Sequence, residues 1–330
     1  MCRSLPTLTS RIPKDDAAAL EQRLAHGHLT ASSLRFRFSR RHQVPVKARV
    51  RARSEAFPRI KKYRAAVSII CRMHVYEFNP DQDQSIVFLH GANSGGWMWE
   101  KGIAELREYH CIAIDLPGHA QSASLEWTTP EHVAAQIARI IHQTAHEGTA
   151  HIVGLSLGGY VGLKVLKENP DVVESILVSG VPSKPLPQRW LMYAMGWLIA
   201  PFIHTDRLLR ISARVARVPD SDLESFVQYT KQNSKQAFRR INSQARSFVP
   251  PAEALTQEPR KMFVTGSFDQ GAFLSALEEL PLVSINACSY RAERCGHAWP
   301  AQRPELFAET VRAWINESSL PKDLTHVASS

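Results

Sequence analysis

The chain has 330 residues, more than one hydrophobic core usually supports, so its length predicts one large domain with an insertion or two smaller domains. Apolar residues make up 44% and charged residues 22%, an ordinary globular composition that excludes collagen, coiled coils and wholesale disorder. The formal net charge is +9, but residues 1–66 hold 16 Lys and Arg against four Asp and Glu, which leaves a net −3 for the rest. Nucleic-acid-binding domains carry basic charge on their folded part, so we expect no nucleic acid partner for the folded part here.

Residues 1–72 are predicted to be a basic, disordered leader. No acidic residue lies between Glu21 and Glu55, and the arginines of this stretch repel one another with few large apolar groups to bury. Three interpretations of the leader stay open: a functionless or wrongly assigned start with Met73 as the true first residue, an organelle transit segment, or a polyanion-binding arm. A rival prediction is that residues 67–72 extend the first strand.

Cysteine usage and hydropathy give expectations about compartment and cofactors. Five cysteines without a CxxC pair favour a reducing compartment, so we expect a cytoplasmic protein. The longest nearly uncharged apolar stretch, residues 191–204, is too short to span a bilayer. His142 and His146 have the spacing of a zinc helix but lack its Glu base, and dinucleotide and P-loop motifs are absent from the sequence. We therefore expect no metal and no cofactor.

From residue 74 onward, extended and helical patterns alternate. Strands are predicted at residues 74–78, 85–90, 111–115, 150–154, 175–179, 261–265 and 287–293, with helices between them. This alternation is typical of an α/β fold with a mostly parallel, doubly wound sheet, formed by residues 73–181 and 259–318. Residues 182–258 contain only helical patterns and are predicted to form a helical lid inserted into the sheet domain. Residues 319–330 are expected to be a flexible tail.

The sequence Gly-Leu-Ser-Leu-Gly-Gly at residues 154–159 follows a predicted buried strand and opens a helix. A nucleophile on a sharp strand-to-helix turn needs small neighbours, because its backbone is strained and its hydroxyl must project clear of the sheet. The glycines meet that need, so Ser156 is predicted to be a nucleophile. A glycine-rich packing turn is the alternative interpretation.

A serine nucleophile needs a base, and the base needs an orienting acid. Asp269 lies on the loop after the strand at 261–265, and His297 follows the last predicted strand. The order Ser, Asp, His is the one expected of this scaffold. Glu278 and Glu279 are rival acids, but both lie inside a helical pattern.

The segment His-Gly-Ala-Asn at residues 90–93 ends an apolar strand, and a turn here directs the backbone N–H of Ala92 toward a developing oxyanion. The sharp turn at residues 154–158 is called the nucleophile elbow below. The N–H of Leu157, at the start of the helix that follows it, is the second predicted donor. Asp115 begins a Pro/Gly turn and is interpreted as structural.

Together these motifs resemble the α/β-hydrolase fold family, in particular its lid-bearing serine hydrolases and esterases, over residues 75–317. The resemblance implies that the lid at residues 182–258 lies between the sixth and seventh strands of the family's sheet. The resemblance implies Ser156 as nucleophile, His297 as base, Asp269 as orienting acid, and Ala92 and Leu157 as oxyanion donors. A serine at the elbow argues against relatives resembling haloalkane dehalogenases and epoxide hydrolases, in which an Asp takes that place. The residues just before His297 are bulkier than is usual in the family, and one of them, Cys295, is predicted to be a buried thiol.

The first lid segment, residues 190–199, is apolar on nearly every side, which favours an acyl or aryl substrate. The residues predicted to line the substrate pocket are His90, Gly91, Trp190, Tyr193, Met195 and Trp197. A stripe of lid arginines, Arg207, Arg210, Arg214 and Arg217, is interpreted either as steering an anionic substrate or as a solvated face.

We therefore predict a serine hydrolase that cleaves a carboxylic ester or related acyl bond of a small, largely apolar molecule. The alternatives are a C–C bond hydrolase, a lyase or a cofactor-free peroxidase on the same scaffold, or a binding protein without catalysis. The sequence leaves the oligomeric state open.

Overall fold

A computed structural model describes residues 64–67, 73–185, 194, 197–244 and 248–328 of the chain. Three of the predicted pocket residues, Trp190, Tyr193 and Met195, lie outside the described residues. The same holds for residues 1–63 and 68–72 of the predicted leader.

Within the described residues, nine strands form one sheet in the order β1-β2-β4-β3-β5-β6-β7-β8-β9. Neighbours from β4 across to β8 are parallel, whereas β1, β2 and β9 are antiparallel additions at the two edges. The strands are β1 Arg64–Val67, β2 His74–Phe78, β3 Ser85–Leu89, β4 His110–Ile114, β5 Ala150–Leu155, β6 Val173–Ser179, β7 Arg260–Gly266, β8 Ala287–Ala292 and β9 Leu324–His326. The predicted mostly parallel sheet is confirmed.

Helices connect the parallel strands. They are α1 Glu100–Ala104, α2 Pro130–Thr144, α3 Leu157–Glu168, α4 Asp206–Val215, α5 Leu223–Thr230, α6 Lys235–Gln244, α7 Ala252–Leu255, α8 Gly271–Leu282, α9 Trp299–Gln302 and α10 Pro304–Ile315. The start of α2 shows how the sequence sets a boundary: Thr129 accepts a hydrogen bond from the N–H of His132 at 3.2 Å, and Pro130 occupies the first turn.

Helices cover both faces of the sheet. Successive residues of a strand point to opposite faces, and along the fully buried β3 the residues Val87 and Leu89 join one core cluster with the buried faces of α2 and α3. Ile86 and Phe88 join the other cluster, with residues of α1 and α10. Burial on both faces explains why β3 is a continuous apolar run rather than an alternating one.

Residues 182–258, which lie between β6 and β7, are here called the insert. Their described part contains α4 to α7 and no strand.

Both ends of the domain differ from expectation. Residues 324–326, expected to lie in a flexible tail, form β9 and pair antiparallel with β8. Residues 64–67, expected to belong to a disordered leader, form β1 and pair antiparallel with β2. A strand of three or four residues is too short to show a periodic pattern in the sequence. Its pairing also depends on a neighbouring strand that is distant in sequence.

Candidate active site

Ser156 lies on the sharp turn between β5 and α3. Its φ of 53° and ψ of −113° are a conformation that non-glycine residues rarely adopt, and its N–H donates to the carbonyl of Ser179 at 2.7 Å. A Cβ at Gly158 would lie 2.0 Å from the carbonyl oxygen of Leu89, and one at Gly154 would lie 2.6 Å from that of Gly158. The glycines of the motif are therefore required by close backbone approach, and this strained turn is the one that the motif predicted.

Asp269 and His297 lie on the loops after β7 and β8, neighbouring parallel strands whose carboxyl ends meet at one edge of the sheet. The Oδ2 atom of Asp269 is 2.7 Å from Nδ1 of His297 and accepts a second hydrogen bond from Thr265 at 2.5 Å. Its Oδ1 accepts from the N–H of Gln270 at 2.8 Å. Burial of the carboxyl opposes ionisation, but the hydrogen bond and charge of His297, with the bonds from Thr265 and Gln270, lower the pKa of Asp269.

Ser156 and His297 line the same cavity, whose volume is about 260 Å³. Space for the imidazole depends on Gly180, which follows β6 with a φ of 64°, because a Cβ there would lie 2.5 Å from Cε1 of His297. Sequence reasoning missed this glycine. The sequence feature that could have indicated its role is its position directly after β6, the strand that pairs with β5 beside the elbow.

The two candidate oxyanion donors reach the same region from neighbouring strands. β3 and β5 are parallel neighbours with Leu89 opposite Gly154, so the loop after β3 lies beside the elbow. Ala92 and Gly91 both line the cavity. Leu157 is the first residue of α3, where backbone N–H groups have no partner within the helix.

His90 does not line the cavity, and its prediction as a pocket residue is wrong. Its ring is fully buried, with Nε2 accepting from the N–H of Leu116 at 3.0 Å and Nδ1 lying 2.8 Å from the carbonyl of Gly91. Burial first, and the nearby charge of His119 second, lower the pKa of His90 well below its usual value. A neutral ring protonated on Nδ1 satisfies both hydrogen bonds. His90 therefore links the backbone just before Ala92 to the backbone of Leu116.

Asp115 has the structural role that the sequence predicted. It is fully buried, and its carboxyl accepts hydrogen bonds from the N–H groups of Gly96 at 2.7 Å and Gln121 at 3.0 Å and from the Tyr76 hydroxyl at 3.2 Å. Burial raises the pKa of Asp115 to about 6. These bonds fix the loop after β3 relative to the loop after β4.

The cavity walls are largely aromatic and aliphatic. Trp97, which follows β3 in the chain, stacks on Tyr229 of α5 with ring centroids 5.4 Å apart. The ring centroid of Phe226 lies 6.2 Å from that of Trp97. The insert contributes further lining residues, Ala216, Val218, Ser221, Asp222, Ser225, Phe226 and Tyr229. One ion pair crosses from α1 to the insert, with Lys101 Nζ 2.6 Å from Asp222.

Trp197 is the second predicted pocket residue that the structure corrects. Its side chain is 59% exposed, lies under the guanidinium of Arg239 at 5.2 Å, and is not among the described residues that line the cavity. Sequence reasoning instead missed Trp97, Phe226 and Tyr229. Trp97 lies only five residues after Ala92 in the sequence, and this closeness could have indicated that it lines the cavity.

Several other sequence hypotheses have structural outcomes. Glu279 binds Lys184 at 2.8 Å rather than His297, and Arg210 pairs with Glu224 at 2.7 Å, so the arginine stripe is partly neutralised. Cys295 is buried as predicted.

Across the described residues there is no cluster of three or more metal-ligating side chains, and none of their helices is both long and apolar enough to cross a membrane.

Comparisons with known proteins agree with this fold. The chain is 24% identical over 257 residues to an AB hydrolase superfamily protein of Gibberella zeae, covering 74% of this chain and 85% of that protein. It is similar to the solved carboxylesterase CesB of Bacillus subtilis, with 18% identity, a TM-score of 0.63, and coverage of 80% of this chain and 94% of that chain. A laboratory-evolved variant of potato epoxide hydrolase also has a TM-score of 0.63, at 15% identity, with 78% of this chain and 100% of that chain covered. A family model described as the alpha/beta hydrolase family matches residues 86–310, and the chain therefore belongs to this family of hydrolases.

Proposed function

We propose that this hydrolase cleaves a carboxylic ester or related acyl bond of a small, largely apolar substrate through a Ser-His-Asp triad. The observation that carries the proposal is the 2.7 Å contact between Asp269 and His297, at a cavity that Ser156 also lines. With Nδ1 of His297 donating to the carboxylate, Nε2 is the ring nitrogen left to accept a proton.

In the proposed reaction, Ser156 Oγ attacks the carbonyl carbon while Nε2 of His297 takes the hydroxyl proton. The N–H groups of Ala92 and Leu157 stabilise the negative oxygen of the tetrahedral intermediate. The intermediate collapses, and His297 returns the proton to the departing alcohol. Water, deprotonated by His297, then attacks the acyl-enzyme and releases the carboxylic acid and Ser156.

Asp269 orients the base and stabilises its protonated form. Its lowered pKa keeps the carboxyl ionised at neutral pH, so a negative charge faces His297 when the ring takes up the serine proton. No cofactor takes part in these steps.

The fold does not choose between esterase and epoxide hydrolase, because solved structures of both kinds match equally well. The serine at the elbow favours an acyl-enzyme over the ester that an elbow Asp would form with an epoxide. C–C bond hydrolysis, a lyase or cofactor-free peroxidase reaction, and binding without catalysis are alternatives on the same scaffold. An acyl-enzyme at Ser156 separates the first proposal from chemistry that uses His297 only as a base.

We also propose that the insert acts as a lid over this cavity and that residues 73–181 and 259–318 form the hydrolase core, to which β1 and β9 add edge strands. The cavity-lining residues of α5 support a covering role. Cys111, Cys288 and Cys295 are free thiols, which supports a reducing, cytoplasmic compartment.

The proposal is tested with p-nitrophenyl esters of graded acyl length, assayed beside a thioester and a lactone. Ser156→Ala should reduce kcat by about 10⁶-fold. Ser212→Ala, which changes an exposed serine on α4, is the matched control and should leave kcat unchanged. Ester hydrolysis that survives Ser156→Ala would overturn the nucleophile assignment, and a wild-type protein inactive on every substrate would favour a binding protein.

A further inference from the structure

Gln302 connects the insert to the loop that carries His297. It is the last residue of α9, and its Oε1 accepts a hydrogen bond from the N–H of Gly296 at 2.8 Å. Its Nε2 donates to the carbonyl of Arg217 at 2.7 Å. Gly296 directly precedes His297, and Arg217 lies in the insert just after α4. One amide side chain therefore bridges the insert and the backbone beside the proposed base.

Arg217 contacts the loops of both His297 and Asp269. Its aliphatic stem lies on Gly296, since a Cβ added to that glycine would be 2.7 Å from Cδ of Arg217. Its guanidinium carbon is 4.7 Å from the ring centroid of Phe268, the residue before Asp269, which is a cation–π distance. Phe268 in turn donates its N–H to the carbonyl of Cys295 at 2.8 Å.

The backbone of Arg217 is in the left-handed region, with a φ of 54°. That region favours glycine, so an arginine there is strained. Two backbone bonds hold the turn in this shape: the N–H of Arg217 to the carbonyl of Arg214 at 3.1 Å, and that of Val218 to Ala213 at 2.9 Å. The strained residue is the one whose side chain reaches both catalytic loops.

The residues on either side of Arg217 face the cavity. Ala216 and Val218 line the cavity together with Ser156 and His297. We propose that Arg217 and Gln302 are positioning residues that hold the His297 and Asp269 loops against the insert, so that the base stays aligned with Ser156. This inference rests on the proposed function, because it requires His297 to act as the base.

Two substitutions test the proposal in the full-length protein. Gln302→Met keeps a side chain of similar length but removes the hydrogen bonds to Gly296, Arg217 and Ala216. Arg217→Gly suits the left-handed backbone and removes only the side chain that packs on Gly296 and Phe268. Gln232→Met, at an exposed glutamine of the insert, is the matched control.

The readouts are kcat per active site titrated with a fluorophosphonate probe, KM for a p-nitrophenyl ester, and the melting temperature. We expect Gln302→Met and Arg217→Gly each to lower kcat by about tenfold or more, because small misplacements of catalytic groups are costly. KM should change less than about threefold, since no group that binds substrate is removed, and the control should match the wild type. Wild-type kcat per titrated site in both variants would overturn the proposal, even if both melt at lower temperature. A wild-type protein that neither hydrolyses esters nor reacts with the probe would instead overturn the proposed function.

Discussion

Gly158→Ala is the substitution that tests most sharply how the elbow is built. The new Cβ would lie 2.0 Å from the carbonyl oxygen of Leu89 and 2.7 Å from that of His90, both backbone atoms that no rotamer change can move. Relief to an allowed contact requires the end of β3 and the start of α3 to separate by about 1 Å. That separation moves the N–H of Ala92 relative to that of Leu157.

A displacement of about 1 Å at a catalytic group costs on the order of 100-fold in rate, so we expect kcat/KM on p-nitrophenyl esters to fall about 100-fold. Overpacking should also lower the free energy of unfolding by about 1–3 kcal/mol. The assay pairs ester kinetics on the folded variant with urea unfolding.

Gly162→Ala is the control on the same helix. Its Cβ would meet only side-chain ends, Ile152 Cγ2 and Ile176 Cδ1, each at 3.1 Å, and these atoms can shift. Activity within a few-fold of wild type is expected, since no catalytic backbone moves. If Gly158→Ala were as active as Gly162→Ala, the inferred coupling between the elbow and the Ala92 loop would be wrong.

Four further outcomes are expected. Asp269→Asn should lower kcat by about 10⁴-fold, measured by steady-state ester kinetics, because His297 loses its charged partner; near-full activity would exclude Asp269 as the acid. Phe226→Ala should change kcat/KM among acyl lengths by about 1–3 kcal/mol per mismatched methylene, whereas Trp197→Ala, on an exposed residue, should not; equal effects would contradict the cavity assignment. Burial lowers the pKa of His119 to about 4, so the unfolded state binds more protons below pH 6.5, and stability should fall as pH decreases toward 4. In urea unfolding, the stability advantage of wild type over His119→Asn should shrink by about 2 kcal/mol from pH 7 to pH 5; a constant difference would refute this. A chain starting at Met73 lacks β1, so light scattering should show more aggregation than for a chain starting at residue 64; equal solubility would mean that β1 does not protect the edge.

The candidate site residues that the sequence predicts are those that lie on turns at strand ends. Ser156 is recognisable in the sequence because glycines flank it on a strand-to-helix turn, although one of them, Gly158, is required by its approach to Leu89, 69 residues earlier. Asp269 and His297 are predicted as candidates because both follow strands, and the carboxyl ends of parallel strands share one edge. The structure places these two side chains in direct contact.

The cavity walls were less predictable, because they depend on packing between segments far apart in the chain. Trp197 looked like a pocket residue from its apolar neighbours, yet its ring lies under Arg239 and faces solvent. His90 stands beside the catalytic loop in sequence, but both ring nitrogens are used by Gly91 and Leu116. No local pattern encodes such tertiary partners.

A covalent acyl-enzyme on Ser156 can be observed by mass spectrometry of the protein after rapid acid quenching during turnover of a p-nitrophenyl ester. We expect a mass increase of one acyl group, located by peptide mapping on Ser156, lost on further incubation and absent from Ser156→Ala. Ester turnover without any adduct on Ser156, or with the acyl group on another residue, would rule out Ser156 as the nucleophile.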